Sequence, residues 1–140
     1  ANGDQFDNNI KKPKDTQLNE AFDQFIENKE EKLINFCSGA DVLIHDSQFL
    51  PKEYEEKKMW GHSPFNYSVE LAIKSDSRLL VLFHHDPDRT DDEMDRIGQM
   101  ASDELDPHGI VSTIAYEGLS IDLSNPGSIS RPVSRSHDID

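Results

Sequence analysis

The stretch Arg78 to Pro87, RLLVLFHHDP, decides the expected fold, because it carries an uninterrupted apolar run that ends in two histidines and an aspartate. The run Leu79 to Phe83 does not alternate between apolar and polar residues, which is typical of a strand buried on both faces. The polar residues that follow are therefore expected at the carboxyl end of a strand. In open α/β sheets ligands bind at that edge, because loops converge there on a rigid scaffold.

Length and composition limit the class of protein. A chain of 140 residues has room for one domain at most. Only 34% of the residues are hydrophobic and the mean hydropathy is −0.72, so we expect part of the chain to be solvated segment rather than core. The net charge of −14 repels a phosphate backbone, which disfavours direct binding of nucleic acid by this chain.

Cysteine usage and hydropathy also bear on the cellular compartment. The single cysteine, Cys37, excludes an internal disulfide framework and is expected to be a packed thiol. No apolar run is long enough for a signal peptide or a membrane helix. We therefore expect a cytoplasmic protein that makes no contact with a membrane.

Apolar periodicity predicts alternating helices and strands after a polar loop at residues 1–14. Helical spacing begins at Asp15 or Thr16, either of which suits an N-cap, and it predicts one long helix or two short ones before a C-cap at Gly39. The elements expected next are a strand at Val42 to Ile44, an acidic helix at Pro51 to Lys58, a helix capped by Ser63 with Pro64 at its first position, the strand at Leu79 to Phe83, and a helix that Thr90 and Glu93 open with a capping box.

The last part of the chain predicts a hairpin and a tail. Ile110 to Tyr116 and Leu119 to Leu123 are expected to pair as two strands around a Glu117-Gly118 turn. Residues 124–140 are polar, lack periodicity and are expected to be disordered. Alternating helices and strands favour a largely parallel sheet, yet four strands make a thin sheet for an enzyme centre. We therefore expect residues 15–123 to be one half of a larger fold.

The first of three short motifs follows the central strand. His84 and His85, with Asp86, offer imidazole nitrogen and carboxylate oxygen, which are ligands for divalent metal ions. Neighbouring residues on an extended chain point in opposite directions, so only one of the two histidines is expected to face a site. His85 is expected to be buried or hydrogen-bonded, and Asp86 to form a turn before Pro87.

The other two motifs are a histidine–acid pair after the first strand and a Gly-His-Ser turn before a helix. In the pair His45-Asp46, the acid is placed to orient or protonate a partner. In the turn Gly61 to Ser63, His62 is either a proton donor or an ordinary loop residue. Each motif taken singly is more often structural than functional, and only their succession favours a shared site.

Taken in order, these motifs resemble a known family. The stretches Ala40 to Phe49 (ADVLIHDSQF), Gly61 to Phe65 (GHSPF) and Leu80 to Glu93 (LVLFHHDPDRTDDE) are similar to the C-terminal half of metallo-β-lactamase-fold hydrolases, in particular to the ribonuclease Z-like and phosphodiesterase-like branch. Glu117 to Leu123 (EGLSIDL) is similar to that fold's final strand. The resemblance implies an α/β fold class, with residues 15–123 forming the C-terminal half of a four-layer αββα sandwich.

The resemblance also implies roles for three residues. His84 matches a histidine that binds one metal of a dinuclear centre, and His62 matches the histidine that donates a proton or hydrogen bond to the scissile phosphate. Asp46 stands where ribonuclease Z has a glutamate, and would hold His62 in the required tautomer. The implied activity is phosphodiester hydrolysis with two divalent metal ions, zinc first and manganese or iron as alternatives.

The chain also departs from the family's pattern. It has His-Asp-Ser-Gln in place of His-Glu-Ala-Thr and Phe-His-His-Asp in place of Thr-His-Phe-Ser, which puts tRNA processing in doubt. The family's first metal-binding motif, His-x-His-x-Asp-His, does not occur. Asp4 and Asp15 are only superficial matches to the aspartate that bridges the two metals, because neither follows an apolar strand. We expect an insertion within residues 1–35 to lie after the true aspartate.

These departures shape the expected partners. An N-terminal half of the same fold, in this or a separate chain, would supply most ligands, and this chain alone is expected to be inactive. The acidic charge favours a small phosphodiester substrate, such as a cyclic nucleotide or dinucleotide, over a tRNA. A non-catalytic binding or regulatory module is the alternative, and self-association into a homo-oligomer stays open. A receiver-like signalling domain fits less well, because it gives the histidine motifs no role.

Overall fold

The computed structural model describes residues 16–57 and 61–128. Within them the elements follow the order α1 (Thr16–Cys37), β1 (Val42–Asp46), α2 (Pro51–Lys57), α3 (Phe65–Ser75), β2 (Leu79–Phe83), α4 (Asp91–Leu105) and β3 (Val111–Ile114). None of the described helices is long and apolar enough to span a bilayer. The predictions for residues 1–15, including Asp4 and Asp15, and for residues 129–140 lie outside the described residues.

The three strands form a parallel sheet in the order β1-β2-β3. Residues Leu79 to Leu82 of the central strand are buried, as expected for a strand covered on both faces, whereas Phe83 at its end is 53% exposed. Asp46 pairs with Phe83 across the sheet, so β1 and β2 end at the same level. Because the strands are parallel, the loops that follow them meet at one edge.

Helices α3 and α4 cover one face of the sheet and α1 packs against α3. Leu43, Leu80 and Leu82 point from the sheet into this core. A Cβ atom at Gly98 of α4 would lie 3.1 Å from Ile114 Cδ1, so the absence of a side chain allows α4 to lie close to β3. The helical residues of the core are Phe65, Tyr67, Val69, Leu71, Ala72, Ile97, Ala101 and Leu105. The fold is therefore α/β, as predicted.

The start signal of α4 was predicted correctly and that of α3 was wrong. Thr90 Oγ1 accepts the Glu93 N–H at 3.3 Å and Glu93 Oε2 accepts the Thr90 N–H at 2.8 Å, which completes the capping box. At α3, however, the N-cap is Pro64, which has an extended backbone and no side-chain cap. Ser63 does not cap the helix; its backbone N–H donates instead to Asp46 Oδ1 at 2.9 Å. α3 therefore begins without the expected side-chain cap, and the observed contact of Ser63 is a tertiary one.

The predicted hairpin after β3 is also wrong. β3 pairs in parallel with β2, and the chain then turns at Tyr116, whose carbonyl accepts the Leu119 N–H at 3.1 Å. Residues 119–123, all described, form no strand, and Leu123 is 69% exposed. Alternating apolar residues suit a strand, but a strand also needs a neighbouring backbone with free donors and acceptors. Residues 16–57 and 61–128 therefore contain three strands where four were expected, and EGLSIDL, which lies within them, does not form the final strand that its similarity implied.

Candidate functional site

Three of the predicted site residues meet at the carboxyl edge of the sheet. Asp46 is the last residue of β1, His84 directly follows β2, and His62 lies just before α3. Each offers one ligand atom, and these atoms lie within 4.8 Å of one another. Residues that are 16 and 38 positions from Asp46 along the chain thus form one cluster. His45 and His85 are not part of it.

Asp46 lies at the centre of the cluster. Its Oδ2 atom is 2.9 Å from Nδ1 of His62 and 2.9 Å from Nδ1 of His84. An ionised carboxylate only accepts hydrogen bonds, so both imidazoles donate from Nδ1. In a neutral ring Nε2 then carries no proton, and it is the atom available to a metal ion or an incoming proton.

The environment of Asp46 favours its ionised form. Burial raises the pKa of the Asp46 carboxyl, but hydrogen bonds from the Ser63 N–H, the His62 imidazole and the Gln48 N–H outweigh that effect and lower the pKa overall. The group is therefore a carboxylate at neutral pH. It can accept hydrogen bonds from two imidazoles at once and so orient both rings.

Phe49 holds the Gly-His-Ser turn in place. Its carbonyl accepts the Phe65 N–H at 2.9 Å, and it forms a parallel β-bridge with Pro64. The buried Phe49 ring lies edge-on to His62, with the ring centroids 6.0 Å apart. His62 in turn lies 4.6 Å from His84, centroid to centroid. Phe49 was not predicted as a site residue, because nothing in the sequence distinguishes it from any other core aromatic residue.

His84 adopts a left-handed backbone conformation, with φ of +58°. For a non-glycine residue this region is uncommon and costs about 1–3 kcal/mol, although histidine enters it more readily than most residues. β2 ends at Phe83, so His84 and His85 lie beyond the strand. Their side chains point in different directions because the backbone turns at His84, and not because side chains alternate along a strand. The strained conformation implies that the surrounding loop holds His84 where it is.

The two residues after His84 behave as expected. His85 Nε2 donates to the Leu82 carbonyl at 2.9 Å, and burial lowers the pKa of His85. Asp86 Oδ1 accepts the Asp88 N–H at 3.0 Å, which is the turn predicted before Pro87. Neither side chain belongs to the cluster around Asp46.

His45 points to the opposite face of the sheet and supports the site from behind. Its Nδ1 lies 2.8 Å from Ser68 Oγ, and Ser68 Oγ donates to the Asp46 carbonyl at 2.8 Å. Burial is the main cause that lowers the pKa of His45. Ser68 is fully buried and was missed from sequence. A polar residue among the apolar residues of α3 was the one signal that could have revealed it.

Fold and site together define a class: an α/β chain with a carboxylate and two imidazoles at the carboxyl edge of a parallel sheet. This donor set can hold a divalent metal ion or transfer a proton. No protein-family model matches the chain.

Comparison with known proteins shows partial similarity to ribonuclease Z. The chain is 39% identical over 54 residues to ribonuclease Z of Sulfolobus acidocaldarius, which covers 39% of this chain and 18% of that protein. It is 40% identical over 62 residues to that of Sulfurisphaera tokodaii, covering 44% and 20% respectively. For Picrophilus torridus the identity is 36% over 53 residues, covering 38% and 17%. The chain thus matches about a fifth of the length of these curated relatives.

Proposed function

We propose that this chain contributes the aspartate and two histidines of a metal-dependent phosphodiester hydrolase. The observation that carries the proposal is the convergence of Asp46, His62 and His84, from three separate motifs, with ligand atoms within 4.8 Å. The name ribonuclease Z, borne by the partial relatives, supports the same reaction class, because a ribonuclease breaks phosphodiester bonds.

The donor atoms fit a divalent metal ion. Imidazole nitrogen and carboxylate oxygen both bind zinc, and a metal-ligating histidine commonly donates its other N–H to a carboxylate. His84 would hold one ion, with zinc the first candidate and manganese or iron the alternatives. When bound, two such ions supply a hydroxide at neutral pH and neutralise negative charge on the phosphate.

His62, oriented by Asp46, would transfer a proton in the reaction. Asp46 accepts a hydrogen bond from the Nδ1–H of His62, which fixes the plane of the ring and leaves Nε2 as the atom that exchanges a proton. In the proposed reaction Nε2 of protonated His62 donates to the leaving oxygen while Nδ1 stays bonded to Asp46. The buried Phe49 ring restricts movement of His62 on one side.

Three side chains are too few for two metal ions. We propose that the other ligands belong to an N-terminal half of a four-layer αββα sandwich, in the same or a separate chain. Residues 15–123 would then form the C-terminal half, 1–14 a loop or insertion, and 124–140 a tail. Ile44 and Phe83 lie on the sheet face opposite α3 and α4 and are 60% and 53% exposed, which leaves apolar surface for a second sheet.

The proposed substrate is a small phosphodiester. The net charge of −14 opposes a long polyanion, whereas a small substrate needs only the metal ions and a few polar groups. RNA is the second candidate, favoured by the name of the relatives. An RNA substrate would require a basic surface contributed from outside this chain.

A zinc titration of the complete protein, including the N-terminal half that supplies the other ligands, tests metal binding directly. His84→Ala should weaken zinc binding at least tenfold, because one imidazole ligand is lost. His108→Ala is the matched control, since His108 is exposed and lies before β3, at the opposite edge of the sheet. Equal zinc affinity in wild type and His84→Ala would contradict the proposed ligand.

Hydrolysis of bis(p-nitrophenyl) phosphate by the complete protein tests the reaction. We expect His84→Ala to abolish metal-dependent turnover and His85→Ala to cost far less, because His85 points back to Leu82. If the metal-loaded complete protein hydrolysed neither this substrate nor RNA, the proposed hydrolase activity would be contradicted. It would favour the alternative, a non-catalytic binding or regulatory module.

A further inference from the structure

We propose that Arg89 is a positioning residue that sets the distance between His84 and Asp46. The inference deepens the proposed function and rests on it, since it matters for chemistry only if the cluster is a working site. The contacts that carry it lie in the loops after β1 and β2 and in α2. None of them involves a side chain of the cluster itself.

Arg89 binds two segments at once. Its Nη1 donates to Glu53 Oε1 at 3.2 Å and its Nη2 to Glu53 Oε2 at 2.7 Å, while Nη2 also donates to the Gln48 carbonyl at 3.0 Å. The Arg89 side chain is only 3% exposed. A two-pronged guanidinium–carboxylate contact fixes geometry as well as charge, which a lysine ammonium cannot do. The loop after β2 is thereby joined to the loop after β1 and to α2.

Ser47 joins the same two loops at their other end. The Ser47 N–H and Oγ–H both donate to the Phe83 carbonyl, at 2.9 and 3.1 Å. His84 is the next residue after Phe83. The segment from His84 to Arg89 is therefore fastened at both ends to the segment that follows Asp46.

The backbone conformation of His84 agrees with a loop that is held at both ends. Its left-handed conformation persists only where neighbouring contacts hold it. The Arg89 N–H closes the loop by donating to the Asp86 carbonyl at 3.0 Å. Without the hydrogen bonds from Arg89 to Glu53 and Gln48, the loop after β2 would relax. His84 would then move away from Asp46 and His62.

An exposed ion pair at the other edge of the sheet provides a matched control. Arg78 Nη1 lies 3.4 Å from Asp41 Oδ1, and both side chains are 62% exposed. Arg78 precedes β2 and Asp41 precedes β1, so this pair also joins the two strands, but at their amino ends. Exposed pairs of this kind contribute little to geometry or stability.

Nuclear magnetic resonance of the metal-free chain tests the proposal. The His62 and His84 rings, 4.6 Å apart, should give a nuclear Overhauser effect between their ring protons. We expect that signal to fall by more than half in Arg89→Lys and in Glu53→Gln, and to persist in Arg78→Lys. The nuclear Overhauser effect between the Phe49 and His62 rings, which does not involve His84, should persist in every variant.

An unchanged His62–His84 signal in folded Arg89→Lys or Glu53→Gln would overturn the proposal. If Arg89→Lys does not fold, Glu53→Gln alone decides, because it keeps the shape of the side chain and one oxygen acceptor. Zinc affinity gives a second readout: Arg89→Lys and Glu53→Gln should each bind zinc about tenfold more weakly, as is typical when a group that positions a ligand is removed. Complete wild-type protein that binds no zinc would count against the proposed function, while the ring contact in this chain would still test the role of Arg89.

Discussion

Asp46 accepts two imidazole N–H groups and the backbone N–H groups of Ser63 and Gln48, so three segments of the chain depend on a single carboxylate. The residue explains why the Gly-His-Ser turn and the loop after β2 lie together, although no backbone hydrogen bond joins His62 to His84 in the part of the chain that the structure describes. At this scale the site is one acceptor with its donors arranged around it.

Asp46→Asn tests that arrangement. An amide has one oxygen acceptor and two N–H donors, so it cannot accept from all four partners, and we expect the free energy of unfolding to fall by about 1–3 kcal/mol. Urea denaturation followed by circular dichroism measures the change. Asp88→Asn is the control, since Asp88 is exposed and uses only its backbone N–H in the turn. Equal midpoints for Asp46→Asn and wild type would show that the cluster contributes nothing to stability.

At the scale of elements, helix starts and loop ends decide where the site residues lie. The capping box at Thr90 starts α4 immediately after the loop that carries His84. The contact between Glu53 and Arg89 then ties that loop to α2. The local capping box and the long-range contact with Glu53 thus involve two adjacent residues, Thr90 and Arg89.

Removing the cap should destabilise the chain. Thr90→Ala deletes the oxygen that accepts the Glu93 N–H, and loss of such a cap typically costs about 1 kcal/mol. Thr90→Ser keeps a hydroxyl and should unfold within about 0.5 kcal/mol of wild type. The two urea midpoints, measured side by side, give the answer. A Thr90→Ala midpoint equal to that of Thr90→Ser would mean that α4 does not need its cap.

The pair formed by Glu53 and Arg89 predicts a pH dependence. Hydrogen bonding to Arg89 is the main cause that lowers the pKa of Glu53, ahead of the opposing effect of burial. A folded-state pKa below the unfolded value of about 4.3 means that the contact stabilises the fold above that pH, and that this stability is lost as the pH falls through the folded-state pKa. Unfolding midpoints of wild type should therefore drop more steeply below about pH 5 than those of Glu53→Gln.

The control for this prediction is Glu104→Gln, because Glu104 is an exposed carboxylate near the end of α4. Its profile should follow that of wild type between neutral and acid pH. Parallel acid profiles for wild type and Glu53→Gln would contradict the role given to the pair.

At the scale of the whole molecule, the covered face of the sheet holds the described residues together. Leu80 and Leu82 point into the layer between the sheet and α3 and α4, while Ile44 and Phe83 lie on the opposite face and are partly open. The hydrophobic effect therefore acts on both faces along β2, where Leu79 and Val81 are also buried, but at the level of Ile44 and Phe83 it acts mainly on the side of α3 and α4. Most of the stability of the isolated chain should come from that side.

Leu82→Ala measures this contribution. A fully buried leucine replaced by alanine loses its transfer free energy and leaves a cavity, so we expect a cost of about 2–5 kcal/mol. Leu123→Ala is the control, since its side chain is 69% exposed and the change should stay within about 0.5 kcal/mol. Chemical denaturation of both variants tests the difference. A small effect of Leu82→Ala would mean that the core is loosely packed.

The sequence by itself determined what depends on near neighbours and on hydrophobicity. The apolar run of β2, the capping box at Thr90 and the turn at Asp86 are each set by a few adjacent residues, and all three appear as expected. The choice of His62, His84 and Asp46 also came from short motifs. Periodicity and capping act over a few residues, which is why they can be recognised without a structure.

Tertiary structure alone decided the rest. The Ser63 N–H donates to Asp46 while α3 begins after Pro64 without a side-chain cap, residues 119–123 pair with no strand, and Arg89 binds Glu53 across 36 positions of sequence. Each outcome depends on which donors and acceptors the fold brings within hydrogen-bond distance. Local propensity does not contain that information, because buried polar groups pair with whatever partner the packing of the strands and helices places beside them.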